Sequence, residues 1–276
     1  MTNLGFVDRD VSLSRLPDSL RSIVSSLSQT SQFTSQDVYQ SLLKAQVRQE
    51  DLMPWADFAH PVADSYGRQL VYDGGYFEIM VMSWVPGDVS AIHDHGQTQW
   101  GAVQCFGRAI HTVYNLSDYP QSTLKDSLRV ALRERMLHTV SEMPVFPGQI
   151  LEVGHDLIHQ MSNYSPKRFL SLHVYGCYDR QDSITGDARI FDLLEGKIQH
   201  TNGGVFFCLP EAEISHRSQT LAADYETTLR HHQQMSDRIT RILENSQEDL
   251  AYWQSKLNLV QQEIRKLAAF DSLIGT

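Results

Sequence analysis

Short β-rich runs fill the middle of the chain and constrain its fold more than any other feature. Between residues 66 and 209, runs such as YFEIMVMSWV and FLSLHVYG alternate with turn sequences such as DGG and TNGG. Many short strands without long helices between them are typical of antiparallel sandwiches and barrels. We therefore predict a mainly β protein. One exception is LKDSLRVALRERML, within residues 122–138, which predicts a helix inserted between strands.

Helices are expected before this β region. Apolar residues recur at helical spacing within residues 10–52 and predict two helices. The second helix should begin after Thr34, because Thr34 and Asp37 have the spacing of a capping box.

The chain turns helical again beyond about residue 218. An apolar seam runs with spacings of three and four through Leu250, Trp253, Leu257, Val260, Ile264 and Leu267. Such a seam serves either self-association through a coiled coil or docking back onto the barrel, and the pattern leaves both open. We predict a barrel domain over residues 1–210, with its strands in 66–210, and a helical C-terminal extension over 211–276.

Composition narrows the possible partners and the location. The net charge of -10 argues against a nucleic-acid partner. No apolar run approaches the roughly 20 residues that span a bilayer, and the first residues do not resemble a secretion signal. The three cysteines are not closely spaced, which suits a reducing compartment. We expect a soluble, cytoplasmic protein whose partner is a small molecule or another protein.

The densest chemical signal is GDVSAIHDH at residues 87–95. Residues two apart on an extended strand face the same side, so His93 and His95 can place both imidazoles on one metal ion. A second block, PGQILEVGHDLIHQMSN, contains His155, His159 and Asn163.

Together the two blocks resemble the paired motifs of the cupin superfamily, in which the second block supplies one further histidine. The resemblance favours His159 over His155, because the terminal HxxxN arrangement is kept at His159. The glutamate usual in cupins is missing, and Gln99 and Trp100 stand at the candidate positions. Three neutral imidazoles leave the charge of a divalent metal unneutralised, which favours an anionic ligand such as a thiolate.

The stretch FLSLHVY sharpens the resemblance. Ser171, His173 and Tyr175 alternate onto one face of a strand and resemble the Ser-His-Tyr triad of the cysteine dioxygenase family. That resemblance implies a cupin-type barrel, iron(II) on His93, His95 and His159, and oxidation of L-cysteine by dioxygen to cysteine sulfinate. The triad would act in catalysis.

The stretch YGRQLV resembles the segment of the same family that carries the substrate-binding arginine. By this resemblance Arg68 binds the carboxylate of cysteine, with help from Tyr66. Related enzymes for 3-mercaptopropionate have glutamine instead, and here Gln69 adjoins Arg68. Oxidation of 3-mercaptopropionate or another small thiol is therefore one alternative, and a metal-binding sensor cupin without turnover is another.

Mammalian members of the family join the tyrosine to a cysteine by a thioether bond. Here Trp100 or Gly101 stands at the corresponding place, and Cys105 lies beyond it. We therefore predict that Tyr175 carries no crosslink.

Overall fold

A computed structural model describes residues 13–29, 32–118, 134–181 and 183–274. The described chain contains a mainly β body with helices on either side of it in sequence. The helices are α1 Asp18–Leu27, α2 Ser35–Ala45, α3 Gln49–Leu52, α4 Tyr225–Asn245 and α5 Leu250–Ile274. The strands are β1 Gly67–Asp73, β2 Phe77–Trp84, β3 Trp100–Cys105, β4 Ala109–Asp118, β5 Glu134–Val145, β6 Ile150–Gly154, β7 Ile158–Ser162, β8 Phe169–Gly176, β9 Ala188–Asp192, β10 Lys197–Thr201 and β11 His216–Ala223.

The strands form two sheets that enclose a common core. The first sheet has the order β1-β2-β8-β3-β6, and the second has the order β7-β4-β5-β11-β10-β9. All named pairs are antiparallel except β5 with β11. Side chains from both sheets, including Met80, Val103, Met161 and Ile190, share one buried cluster. The predicted cupin-type antiparallel barrel is confirmed, and residues from both sheets line the cavity of the candidate site.

The N-terminal helices cover the outer face of the first sheet. Leu20, Leu42 and Leu52 are fully buried and belong to one cluster with Ile79 and Leu172 of the sheet. The predicted capping box is present, since the Thr34 hydroxyl accepts from the Asp37 amide and the Asp37 carboxylate accepts from the Thr34 amide. The two predicted helices are found, and the short helix α3 follows them.

The predicted helix within residues 122–138 is wrong for its last residues. Residues 134–138 belong to β5, which pairs with β4 on one side and β11 on the other. Pairing on both sides outweighs the helical propensity of ERML, and Leu137 is fully buried in the resulting sheet. Residues 122–133 of the predicted helix lie outside the described part of the chain.

The C-terminal extension was expected to be helical, but residues 216–223 form β11 inside the second sheet. A strand within residues 211–276 means that the predicted extension contributes to the barrel itself. The boundary after residue 210 remains a prediction. The apolar seam packs within the chain: Leu257 and Val260 of α5 are buried in a cluster with Met235 and Ile239 of α4.

Self-association through α5 stays a prediction, and Tyr252 and Leu259 on that helix are half exposed. Among the described residues, no helix has the length and apolar character needed to cross a membrane.

Candidate metal centre and its cavity

Three histidines meet between the two sheets. His93 and His95 lie on the segment that joins β2 to β3, and His159 lies on β7. His93 was expected on a regular strand, but it forms only isolated bridges, one to His159 and one to Ile190. The amide of His93 donates to the carbonyl of His159 at 3.0 Å, and the reverse bond is 2.9 Å. These bonds hold the two ligand segments side by side.

The three imidazoles can bind one ion. Nε2 of His159 lies 3.2 Å from Nε2 of His95, and tetrahedral ligands bound at about 2.0–2.1 Å from a shared ion have a similar separation of about 3.3 Å. Nδ1 of His93 donates to the carbonyl of Ala91 at 2.9 Å, which leaves its Nε2 free. The three side chains are the only buried group with metal-ligand spacing among the residues that the structure describes.

Burial keeps these histidines neutral. Desolvation lowers the pKa of His93 to about 4, and it lowers the pKa of His95 and His159 well below the usual value. A neutral imidazole keeps a lone pair for a metal. Nδ1 of His95 is buried without a hydrogen-bond partner among the described residues. The donor set therefore fits a borderline divalent ion such as Fe(II) or Zn(II).

His155 lies apart from this group. Its side chain is exposed, and its Nδ1 donates to the carbonyl of Thr98 at 2.9 Å. Gln99 is also directed elsewhere, because its side-chain oxygen accepts from the amide of Tyr178 at 2.7 Å. Trp100 is buried against Phe33. In this structure neither Gln99 nor Trp100 replaces the missing glutamate.

Ser171, His173 and Tyr175 are connected by hydrogen bonds along β8. Ser171 Oγ lies 2.7 Å from Nε2 of His173, and Nδ1 of His173 lies 2.7 Å from the Tyr175 hydroxyl. Trp84, which the sequence did not single out, donates from Nε1 to Ser171 Oγ at 2.9 Å.

The indole of Trp84 fixes the direction of these hydrogen bonds. An indole N–H can only donate, so Ser171 accepts from Trp84 and has its own hydrogen left to place. His173 Nε2 is the remaining partner of Ser171 in the described chain, and a buried hydroxyl hydrogen requires an acceptor. Burial lowers the pKa of His173 to about 3. The neutral ring then donates from Nδ1 to Tyr175, and the Tyr175 hydroxyl hydrogen is free for a ligand.

Arg68 and Tyr66 line the same cavity as the three histidines. The cavity, counted with its open mouth, encloses about 500 Å³. Arg68 is half-buried and its Nη2 lies 3.4 Å from Thr185 Oγ1. Gln69 is exposed and reaches Asp57 instead. The pleat of β1 therefore turns Arg68 inward and Gln69 outward.

Tyr66 is fixed by its neighbours. Its ring stacks on Trp84 at 4.8 Å between centroids, and its hydroxyl accepts from the amide of Val205 at 3.3 Å. Burial raises its pKa to about 12. The group thus stays protonated and its hydrogen can be donated.

Tyr175 has no thiol in the position of the family crosslink. Gly101 lies opposite Tyr175 across the β3–β8 pair, and a Cβ atom on Gly101 would lie 2.7 Å from Cδ1 of Tyr175. Cys105 instead pairs with Ser171. The absence of a crosslink remains a prediction, which this placement supports.

Two contacts around the histidines were not predicted. His111 on β4 lies with its Nε2 2.8 Å from Nδ1 of His159. Asp94, between the two motif histidines, accepts from the backbone and side chain of Arg189. The sequence carries no spacing signal for either contact, because β4 and β9 reach the site only through the second sheet.

Comparison with known proteins agrees with this arrangement. The family profile described as "Cysteine dioxygenase type I" matches residues 12–180. Cysteine dioxygenase type 1 of Danio rerio is 26% identical over 161 residues, which are 58% of this chain and 75% of that protein.

Among solved structures, a double-stranded β-helix protein from Klebsiella pneumoniae has 15% identity and a TM-score of 0.31 over 42% of this chain and 75% of its own. KdgF from Halomonas sp. has 14% identity and a TM-score of 0.29, and the match covers 43% of this chain and 83% of KdgF. TM-scores this low add nothing to the assignment. The profile covers more than half of the chain and indicates an oxygenase-type, metal-dependent enzyme. The chain therefore belongs to the cysteine dioxygenase type I family.

Proposed function

We propose that this protein is an iron-dependent thiol dioxygenase that oxidises L-cysteine with dioxygen to cysteine sulfinate. One observation carries the proposal: the three-histidine cluster, a guanidinium and a tyrosine hydroxyl border one cavity. The reaction balances as one thiol plus one dioxygen giving one sulfinic acid, with both oxygen atoms on sulfur. The substrates are therefore a small thiol and dioxygen.

His93, His95 and His159 would hold the iron. An Fe(II) ion there would supply the redox chemistry through which dioxygen reacts with a thiol. The three ligands are neutral, and no carboxylate joins them in the described part of the chain. The site therefore favours an anionic partner, and a thiolate meets that preference.

Arg68 is proposed to bind the carboxylate of cysteine. A guanidinium can donate two parallel hydrogen bonds to the two oxygens of a carboxylate. The half-buried position of Arg68 at the cavity, with Gln69 directed outward, supports an amino-acid thiol over a thiol that is recognised by glutamine. Tyr66 lines the same cavity and can donate a further hydrogen bond.

Tyr175 is proposed to donate a hydrogen bond to the reacting ligands. Burial raises its pKa, so the hydroxyl keeps its proton. Its ring lies 4.9 Å from that of His95 between centroids, which supports a role for its hydroxyl near the proposed iron. Hydrogen bonds from Trp84 through Ser171 and His173 fix the orientation of the hydroxyl before substrate arrives.

We further propose that the enzyme acts in the cytoplasm and does not bind nucleic acid. The three cysteines are free and buried, as suits a reducing compartment. The net charge of -10 disfavours phosphate backbones.

Oxygen uptake with a panel of thiols tests the proposal. Iron-loaded protein is supplied with cysteine, 3-mercaptopropionate and cysteamine, and the product is identified by mass spectrometry. We expect cysteine to be the best substrate and to gain two oxygen atoms. Faster turnover of 3-mercaptopropionate would refute the cysteine assignment alone, whereas no uptake with any thiol would favour a sensor cupin.

A matched pair of histidine variants tests the metal ligands. His159→Ala should lose iron and oxygen uptake. His155→Ala, an exposed histidine four residues earlier, should keep both. The reverse result would show that the ligand assignment is wrong.

A further inference from the structure

A second group of metal-ligating side chains lies outside the cavity. His200 of β10 and His216 of β11 are direct partners across the two strands, and their rings stack at 3.8 Å between centroids. Asp187, just before β9, has its Oδ1 2.8 Å from Nδ1 of His200. One ligand atom from each of the three residues lies within 4.8 Å of the other two. Three neighbouring segments of the second sheet thus each supply one donor.

We propose that Asp187, His200 and His216 form a second metal site for a divalent ion of the zinc class. Two imidazoles and one carboxylate are a common donor set for such ions, and the carboxylate offsets part of the ion's charge. Ligands on an ion with bonds of about 2.0–2.1 Å lie about 3.3 Å apart. Binding would therefore widen the 2.8 Å between Asp187 and His200 slightly. It would also turn the ring of His216, which is now stacked on His200, toward the ion. The side chains of Asp187 and His216 are exposed and are free to make these movements.

Ser218 prepares His200 for this role. Its hydroxyl lies 2.8 Å from Nε2 of His200, on the far side of the ring from Asp187. With metal on Nδ1, the His200 proton would sit on Nε2 and be donated to Ser218 Oγ. This is the outer contact that commonly orients a metal-binding histidine. Without metal, Nδ1 carries the proton and donates it to Asp187.

The position of Asp187 links the proposed site to the catalytic cavity. Thr185 and Ala188, on either side of Asp187, both line that cavity. Arg189, which follows Ala188, donates hydrogen bonds to Asp94, and Asp94 lies between His93 and His95 in sequence. An ion at the second site would tie β10 and β11 to this segment, so binding should stabilise the folded protein.

Metal stoichiometry in the iron-loaded protein tests the proposal. Wild type, His216→Ala and the exposed control His155→Ala are dialysed against Zn²⁺, and iron and zinc are both counted by elemental analysis. We expect wild type and His155→Ala to bind one metal equivalent more than His216→Ala. Counting both metals makes the result independent of any exchange of iron for zinc at the three-histidine site.

Thermal unfolding gives a second readout. Zn²⁺ should raise the unfolding temperature of wild type and His155→Ala more than that of His216→Ala. Asp187→Asn keeps the size of the side chain and should weaken zinc binding in the same way. This second variant keeps the test valid if His216→Ala does not fold. Equal zinc binding and equal thermal shifts in wild type, His216→Ala and Asp187→Asn would overturn the proposal.

Discussion

The guanidinium of Arg238, on α4, forms a buried ion pair with the carboxylate of Asp88, with Nη1 3.1 Å from Oδ1. Both side chains are almost inaccessible, at 3% and 1% exposure. Asp88 also accepts from the amide of Val85, and it lies beside His60. Arg238 donates further to the carbonyls of Gly87 and Asp64. A helix of the C-terminal extension thus holds the start of the segment that carries two of the proposed metal ligands.

Removal of this arginine should destabilise the protein and loosen the metal site. Arg238→Met leaves Arg241, 3.7 Å from the same carboxylate oxygen, as a more distant partner of the buried Asp88 charge. We therefore expect a cost near the lower end of the about 3–5 kcal/mol that is typical of a broken buried ion pair. We expect that loss in the free energy of unfolding by urea, together with a lower iron content. Arg265→Met, at an exposed position on α5, is the matched control and should change neither. Equal stabilities of the two variants would show that the pair contributes little.

Substitution of Arg68 should impair cysteine turnover selectively. Arg68→Gln removes a charge-assisted pair worth about 1.5–3 kcal/mol, or about ten- to a hundredfold in kcat/KM for cysteine. Cysteamine, which lacks a carboxylate, should be affected less. Gln69→Ala, at the neighbouring exposed position, should leave both rates near those of wild type. Unchanged cysteine turnover in Arg68→Gln would refute the proposed carboxylate contact.

Loss of His111 should weaken metal binding without removing a ligand. With Nε2 of His159 on the metal, Nδ1 of His159 donates to Nε2 of His111 at 2.8 Å. Removal of such an outer partner typically lowers metal affinity by about 10- to 100-fold. Competition with a chelator should show this for His111→Ala, whereas the surface control His138→Ala should match wild type. Equal affinities would mean that His111 does not orient His159.

Metal-free protein should lose stability as the pH falls below 6.5. Burial lowers the pKa of His93 to about 4, and those of His173 and His231 to about 3. Below pH 6.5 the unfolded chain binds protons at these residues while the folded chain does not. The free energy of unfolding should then fall with a slope that approaches about 1.4 kcal/mol per pH unit for each such histidine about one unit below pH 6.5, and that persists down to about pH 4.

Urea unfolding at pH 7.5, 6.5 and 5.5 measures this slope. His231→Leu removes a buried histidine that lies outside the site, on α4 beside Phe207. It should lower the slope of unfolding free energy against pH by the contribution of one histidine. Stability that stays constant or rises on acidification would contradict the neutral state assigned to these residues.

Local sequence patterns were enough to predict much of the fold and part of the candidate site. The period of two along FLSLHVY placed Ser171, His173 and Tyr175 on one face, and the structure joins them by hydrogen bonds. The β-rich middle of the chain predicted the barrel, and Thr34 with Asp37 predicted a helix start. These signals succeeded because backbone geometry alone sets which neighbours in sequence share a face or a cap.

Tertiary structure decided the rest. The ERML sequence became a strand because β4 and β11 hydrogen-bond to it on both sides. Trp84, His111 and Arg238 reach the candidate site from β2, β4 and α4, and each is far in sequence from the residue that it holds. Such contacts produce no periodic pattern in the sequence, because the packing of sheets and helices brings together residues that are distant along the chain.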